Sequence, residues 1–506
     1  MVMNKAVQIL FWIAIISCAL LASWYAIHGA IHFHTDIARD FLLMEDIVVN
    51  HKPALIGPRS GGIPGVFHGP AWLYLNLPVF FLSGGNPAAV SWFWAALVVL
   101  SIACVYFVTK KLSDNKAAMV ASAIYGLAIS GAAPNLFNPF GAVLFSPLYF
   151  YFLILYLEKR KIVHLMLSLF LIGLVIQFQM AWGVPALILS LPLIFKRIIK
   201  HKKIAHLFSF GILSIPLSTY LLFDLRHQFI QTKSVISYLK GTNGDKATLP
   251  FISVVWLRIR EMALTMFSYF SNSNLFITLS FLVLFVALMI LYFKKKKWNN
   301  VVIYFLYLYG GYFVLTLLFR GTLWGYYTWP FLPLFCIVLA IVLSSVLKKY
   351  FAQLSILIFL IIIIQNGMSL SKQTNSYFAS DTGLWNFYKV QAVDIFKDAP
   401  NEFGWFVYTA DQYGYSSKYA MHYLQQKNAK KGFSYEKKPT TYLMLSSGSN
   451  RYTNSTDWKK DKIKIKRAPE SKFTYQDGST IERYNLTKEE QEVQVDSSLI
   501  QDLTFR

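Results

Sequence analysis

The sequence predicts an α-helical polytopic membrane protein of about eleven spans, ending in an α+β domain outside the membrane. Three observations predict it. Hydrophobic residues make up 55% of the 506, and they gather in runs long enough to cross a bilayer rather than in amphipathic stripes. Lysine and arginine cluster at the ends of these runs, on every second connection. Beyond about residue 370 the chain turns polar, lysine-rich and tyrosine-rich.

At roughly twenty residues per span, the apolar runs fall near 6–28, 87–109, 117–133, 141–157, 162–178, 180–195, 204–223, 274–293, 300–319, 327–347 and 351–369. The first follows the single Lys5 and lacks a small-residue cleavage site, so it reads as a retained anchor rather than a signal peptide. Basic clusters lie at Lys110 and Lys111, at 158–161, at 196–203, at 294–297, and at Lys348 and Lys349. Cationic loops stay inside, which makes these connections cytoplasmic. The N-terminus is then also cytoplasmic, and the first loop (29–86), the 224–273 loop and the tail lie outside. The expected location is the cell membrane, with residues 1–370 as a membrane domain and 371–506 as an extracytoplasmic one. A net charge of +23 would suggest nucleic acid in a soluble protein, but here it sets topology, so a nucleic-acid partner is excluded. Cys18, Cys104 and Cys336 all sit within apolar runs, against a disulfide framework or a zinc site.

In the tail, "FGWFVYTA" and "TTYLMLSS" read as strands and "SSKYAMHYLQQ" as a helix. "FTYQDGSTIERY" reads as a hairpin turning on Asp477 and Gly478.

The first outer loop opens with "HTDIARDFLLMED", four acids and one arginine. If 35–47 is helical, Asp36, Arg39 and Asp40 share a face, Asp46 lies at its margin and Glu45 points elsewhere. Two acids at i and i+4 cost an isolated helix about 0.2–0.5 kcal/mol, so Arg39 must offset them or the pair serves chemistry. The glycine- and proline-rich stretch that follows carries Arg59 and His68, and its glycines permit close backbone approach to a ligand. There Arg59 is placed to hold a phosphate oxygen and His68 to donate to one, or His68 is simply a turn residue.

The stretch "TDIARDFLLMEDIVVNHKPALIGPRSGGIPGVFHGPAWLYL", with "NPF" at 138, "QFQ" at 177, "FDLRHQF" at 223 and "WGYYTWPFLP" at 324, resembles the type C glycosyltransferases. The similarity is to the branch of protein O-mannosyltransferases and the lipid A aminoarabinose transferase. It covers the membrane part and implies a GT-C fold, a sugar donor carried on polyprenyl phosphate, and a catalytic acid at the start of the first outer loop, here Asp36.

That chemistry needs a base for the acceptor's proton, cations for the departing phosphate and a greasy groove for the lipid. Asp36 is the expected base, with Asp40 tuning it or binding sugar, or the two in reversed order. Arg226 and His227 at the outer end of the seventh span are expected at the phosphate, unless Arg226 pairs with Asp224 instead. Arg258, Arg260 and Arg320 are expected to meet lipid headgroups. Arg39 is expected to contact the sugar or acceptor, Gln177 and Gln179 either bind sugar hydroxyls or satisfy each other between helices, and Trp324, Tyr326 and Tyr327 offer a stacking platform. A cofactor is not required. A divalent cation, if one binds, would be magnesium or manganese held by Asp36, Asp40, Glu45 and Asp46; the loop "PNLFNPFG" supplies no further acid.

The sequence therefore reads as a glycosyltransferase moving a hexose or pentose to a cell-envelope glycan, lipid or protein. The rival is a transporter or flippase of a lipid-linked saccharide. Such carriers place ionisable groups at the bilayer midplane and are often built from repeats, whereas here the charges gather at one interface and no repeat is evident. A third reading gives the function to the tail, but eleven spans exceed what an anchor needs.

Overall fold

The computed structural model describes residues 5–27, 31–60, 62–130, 135–240, 249–271, 274–295, 299–319, 321–346, 350, 353–365, 383–411, 413–448 and 454–499. An apolar helix stands at each expected span: α1 (Lys5–Ile27), α4 (Pro87–Leu112), α5 (Asn115–Ser130), α6 (Pro139–Lys159), α7 (Ile162–Phe178), α8 (Met180–Lys200), α9 (Ser214–Arg226), α13 (Leu275–Lys294), α14 (Asn300–Thr316), α15 (Phe331–Val346) and α16 (Gln353–Gln365). A 3-10 segment, Ile204–Leu213, leads into α9. Five helices among the described residues are long and apolar enough to cross a membrane: α4, α6, α8, α13 and Ile204–Arg226. The chain is an integral membrane protein. The local signals for these helices are ordinary. Asn86 caps α4 ahead of Pro87, and Asn274 and Asn299 cap α13 and α14 through their side chains.

The bundle has two chemically distinct ends. At one, Arg160 Nη1 lies 3.2 Å from His201 Nδ1, Asn300 Nδ2 donates to Glu158 at 3.0 Å, and Lys295 Nζ reaches the Val346 carbonyl. The basic connections thus meet. Lys348, Lys349, Arg320 and part of the 294–297 cluster fall outside the described residues.

At the other end the first loop is more structured than the sequence suggested. It holds α2 (Thr35–Asn50) and α3 (Ala71–Leu82), the latter apolar and missed because its 12 residues are too few to read as a span. The loop after α9 also folds, into α10 (Ile230–Leu239), α11 (Phe251–Ile259), a π turn at Arg260–Leu264 and α12 (Thr265–Ser271).

The polar tail begins with α17 (Trp385–Asp398) and carries a five-stranded sheet of order β2-β1-β3-β5-β4. Its strands are β1 (Glu402–Tyr408), β2 (Lys431–Ser434), β3 (Thr440–Leu445), β4 (Ser471–Thr474) and β5 (Thr480–Asn485). β1 runs parallel to both β2 and β3, while β3–β5 and β5–β4 are antiparallel. Both expected strands, the hairpin with Gly478 at φ +80° and the helix, here α18 (Tyr415–Gln425), are present. β2 and α17 were not anticipated.

The tail docks on the first loop. His32 and Leu384 form an antiparallel bridge, flanked by Phe33 N to Gly383 O at 2.9 Å and Trp385 N to Ile31 O at 3.0 Å. Around it Phe33, Phe41, Trp385 and Tyr419 pack edge to face or tilted, with centroids 5.0–5.8 Å apart between contacting rings.

Candidate active site

The site begins at the N-terminus of α2. His34 is its N-cap, with Nδ1 accepting from Asp36 N at 3.2 Å. A ring nitrogen that accepts is deprotonated, so the proton sits on Nε2, which donates to Asn135 Oδ1 at 2.8 Å. The loop after α5 thus meets the first loop through an amide rather than an acid. One turn on, Arg39 bridges both acids, 2.6 Å from Asp36 Oδ1 and 3.0 Å from Asp40 Oδ1. The i, i+3, i+4 face expected from sequence is present, and Arg39 offsets the two charges.

The acids differ in surroundings. The Asp36 side chain is 43% exposed, whereas Asp40 is buried and its Oδ2 has no hydrogen-bond partner among the described residues. Burial pushes the Asp40 carboxyl up to about 6; the Asp36 charge adds to this and Arg39 opposes it. His68 is buried close enough to feel both Arg39 and Asp36, and burial holds its ring at about 4. It is therefore neutral at physiological pH. Desolvation outweighs the nearby acid, and the neutral ring keeps one N–H with which it can still donate.

The glycines beside His68 permit close approach, but to protein. Residues 57–68 close a small hairpin through Gly57 N to His68 O, His68 N to Pro58 O and an Arg59–Phe67 bridge. A Cβ at Gly69 would lie 1.8 Å from Gln177 Oε1, and one at Gly65 2.3 Å from Ser234 Oγ. Gln177 is structural: its Nε2 donates to Pro216 O at 2.6 Å and to Thr219 Oγ1 at 2.9 Å. Gln179, in the break between α7 and α8, is fully buried, with neither amide atom partnered among the described residues. The two glutamines do not pair with each other. Tyr326, electrostatically coupled to Asp36 and Arg39, stacks parallel to Trp324 at 6.4 Å and sits edge-on to Phe137 and Tyr327. Tyr327 is buried, so only Tyr326 of that pair lies open to a ligand beside the acids.

Over 94% of its length the chain superposes on ArnT from Cupriavidus metallidurans in the apo state, with a TM-score of 0.60, 10% identity and 97% of that chain covered. The fold is that of a type C glycosyltransferase. The same enzyme bound to undecaprenyl phosphate gives 0.58 at 10% identity, covering 94% of this chain and 98% of that one. An archaeal oligosaccharyltransferase from Archaeoglobus fulgidus is matched at a TM-score of 0.44 and 12% identity, over 81% of this chain and 64% of that one. Residues 68–223 match the family described as dolichyl-phosphate-mannose-protein mannosyltransferase. No curated protein sequence matches the chain.

Within this type C fold the remaining candidates separate. Arg226 is exposed at the end of α9. Its expected alternative partner is engaged elsewhere: Asp224 caps α10, accepting from Gln231 N at 2.9 Å and from Thr232 N and Oγ1 at 3.1 and 2.6 Å. His227 stacks on Phe223 at 4.1 Å, its Nδ1 2.8 Å from the Phe223 carbonyl oxygen. Arg59 is exposed and acts on the Tyr415 ring of the tail. Arg258 is not at a lipid headgroup; it is buried, donating to Phe319 O and Gly321 O, each at 2.7 Å, beyond the end of α14. Arg260 pairs with Glu261 at 2.9 Å.

The four acids of α2 do not converge. Glu45 turns to α18, 2.9 Å from His422 Nδ1 and 2.7 Å from Gln426 Nε2, and Asp46 accepts from Asn50. Asp36 and Asp40 share Arg39. Among the described residues no group of three acid, histidine or cysteine side chains is placed to hold a metal, so the four-acid cation set does not fit this geometry.

Proposed function

We propose that the chain transfers a sugar from a polyprenyl-phosphate donor to a cell-envelope acceptor on the outer face of the membrane. The observation that carries this reading is one exposed and one buried carboxylate sharing an arginine at a helix N-terminus, in a fold whose solved representative is described as bound to undecaprenyl phosphate. Asp36 is the base. It is open to an approaching hydroxyl, and Asp40 takes up part of the Arg39 charge that would otherwise suppress its basicity. The acceptor oxygen bonds to the anomeric carbon as the bond from that carbon to the phosphate oxygen breaks. The acceptor proton passes to Asp36, and the phosphate leaves as polyprenyl phosphate. Arg226, unpaired with Asp224 and set near the membrane edge by the reading of α9, suits the leaving phosphate, with Arg59 as a second cation. Tyr326 offers a ring face to the sugar.

Purified protein is incubated with polyprenyl-phosphate sugars and the release of polyprenyl phosphate is measured. Release that disappears in Asp36→Asn supports the reading. No release from any donor, together with movement of the sugar-lipid in proteoliposomes, overturns it in favour of a flippase.

A further inference from the structure

Beside the acids lies a cavity of about 340 Å³, between the start of α2 and the sheet. That volume falls within the roughly 300–1,000 Å³ of small-molecule sites. Its position in the sheet is significant. The chain leaves β1, passes through α18 to β2 on one side, then crosses to β3 on the other, so the parallel strand order reverses between β1 and β3. The cavity opens at the carboxyl ends of those two strands, lined by Thr409 and Asp411 after β1 and by Ser446 and Ser447 after β3. Crevices at such reversal points are where open parallel sheets bind ligands.

The lining selects a ligand class. Gln391, Ser416 and Ser479 are buried polar groups there, and Ser446 Oγ is buried with no hydrogen-bond partner among the described residues. Gln391 Nε2 donates to Ser479 Oγ at 2.9 Å, and Ser479 Oγ donates to Asp477 Oδ1 at 2.6 Å. Phe387, Tyr388 and Tyr415 add ring faces. Among the described residues that line the cavity there is no lysine or arginine. Hydroxyl and carboxylate acceptors with aromatic faces and no cation suit a polyhydroxylated ligand and oppose a phosphate or uronate.

The cavity is joined to the acids. Thr35, which precedes Asp36, lines it and donates to Asp411. We propose that this cavity is the acceptor subsite and that it takes an uncharged or amino-bearing sugar unit of the acceptor, presenting a hydroxyl toward Asp36. This rests on the transferase reading above for the direction of transfer, but not for the binding of sugar.

The test uses the full chain in detergent. Methyl glucoside, glucosamine and glucose 6-phosphate are titrated by saturation-transfer NMR, and undecaprenyl phosphate binding is measured separately. Methyl glucoside or glucosamine is expected to bind and glucose 6-phosphate not. Ser447→Trp, at the exposed rim, should weaken sugar binding at least about tenfold by filling the cavity. Undecaprenyl phosphate affinity should stay within about twofold, as for independent sites. Asp477→Ala serves if the tryptophan variant fails to fold. Sugar binding unchanged in the variants, equal binding of the phosphorylated sugar, or no binding of the other two overturns the proposal. Sugar binding without undecaprenyl phosphate binding overturns the donor reading instead and leaves the cavity as a saccharide site.

Discussion

Asp36 and Asp40 are four residues apart, yet α2 gives them opposite environments, and a separate prediction follows for each. Asp36→Asn keeps the hydrogen bond to Arg39 but removes the base, so transfer should fall by about 10²–10⁴-fold with undecaprenyl phosphate binding intact; turnover assays and lipid-binding measurements check both. The Asp40 carboxyl, at about 6 against an ordinary 3.8, ionises later in the folded chain than in the unfolded one. Its contribution to stability is therefore full below about pH 4 and is lost as pH rises through about 6. Activity should climb through the same window as Arg39 becomes shared, and Asp40→Asn should flatten both curves. Arg226→Ala, with no acid left unpaired, should lower affinity for polyprenyl phosphate by about tenfold without a loss of melting temperature. Much of this was legible in sequence, because i, i+3, i+4 spacing fixes which side chains meet on a helix. The environment of each acid was not, since burial depends on elements far along the chain. For the same reason the buried carbonyl ligation of Arg258 and the neutral ring of His68 were not readable.

At the scale of elements, the spans and the tail strands followed from hydrophobic period and turn residues, which are local signals. α3 did not, being too short for a span, and α10 and the glycine hairpin did not, because they are held by long-range contacts. Phe67 N donates to Gln231 Oε1 at 3.0 Å, and Gly69 lies against Gln177. Gly69→Ala should push the hairpin off α7. A Cβ 1.8 Å from an amide oxygen cannot be accommodated in place, so the expected result is a melting temperature lower by several degrees and a raised donor KM, measured by thermal shift and kinetics. Glu45→Gln should loosen α18 from α2, seen as faster proteolysis of the tail, because the Glu45 pair with His422 is partly shielded.

Across the whole molecule, the acids belong to the membrane part and the crevice at β1 and β3 to the tail, while the His32–Leu384 bridge and the Phe33, Trp385 and Tyr419 rings make one body of the two. Tyr419 also donates to the Gly85 carbonyl ahead of α4. Tyr419→Ala should therefore lower both melting temperature and turnover, by about 3–5 kcal/mol in stability as for other buried aromatic truncations, and calorimetry with kinetics would register it. Thr35 and Asp411 are 376 residues apart, so the first turn of α2 takes its final partners only after those intervening residues have been made. At about 5–20 residues per second that is a wait of roughly 20–75 s during synthesis. For that interval the acids stand at the membrane surface without their final setting. On the transferase reading proposed above, the site is complete only once the sheet domain has folded onto α2.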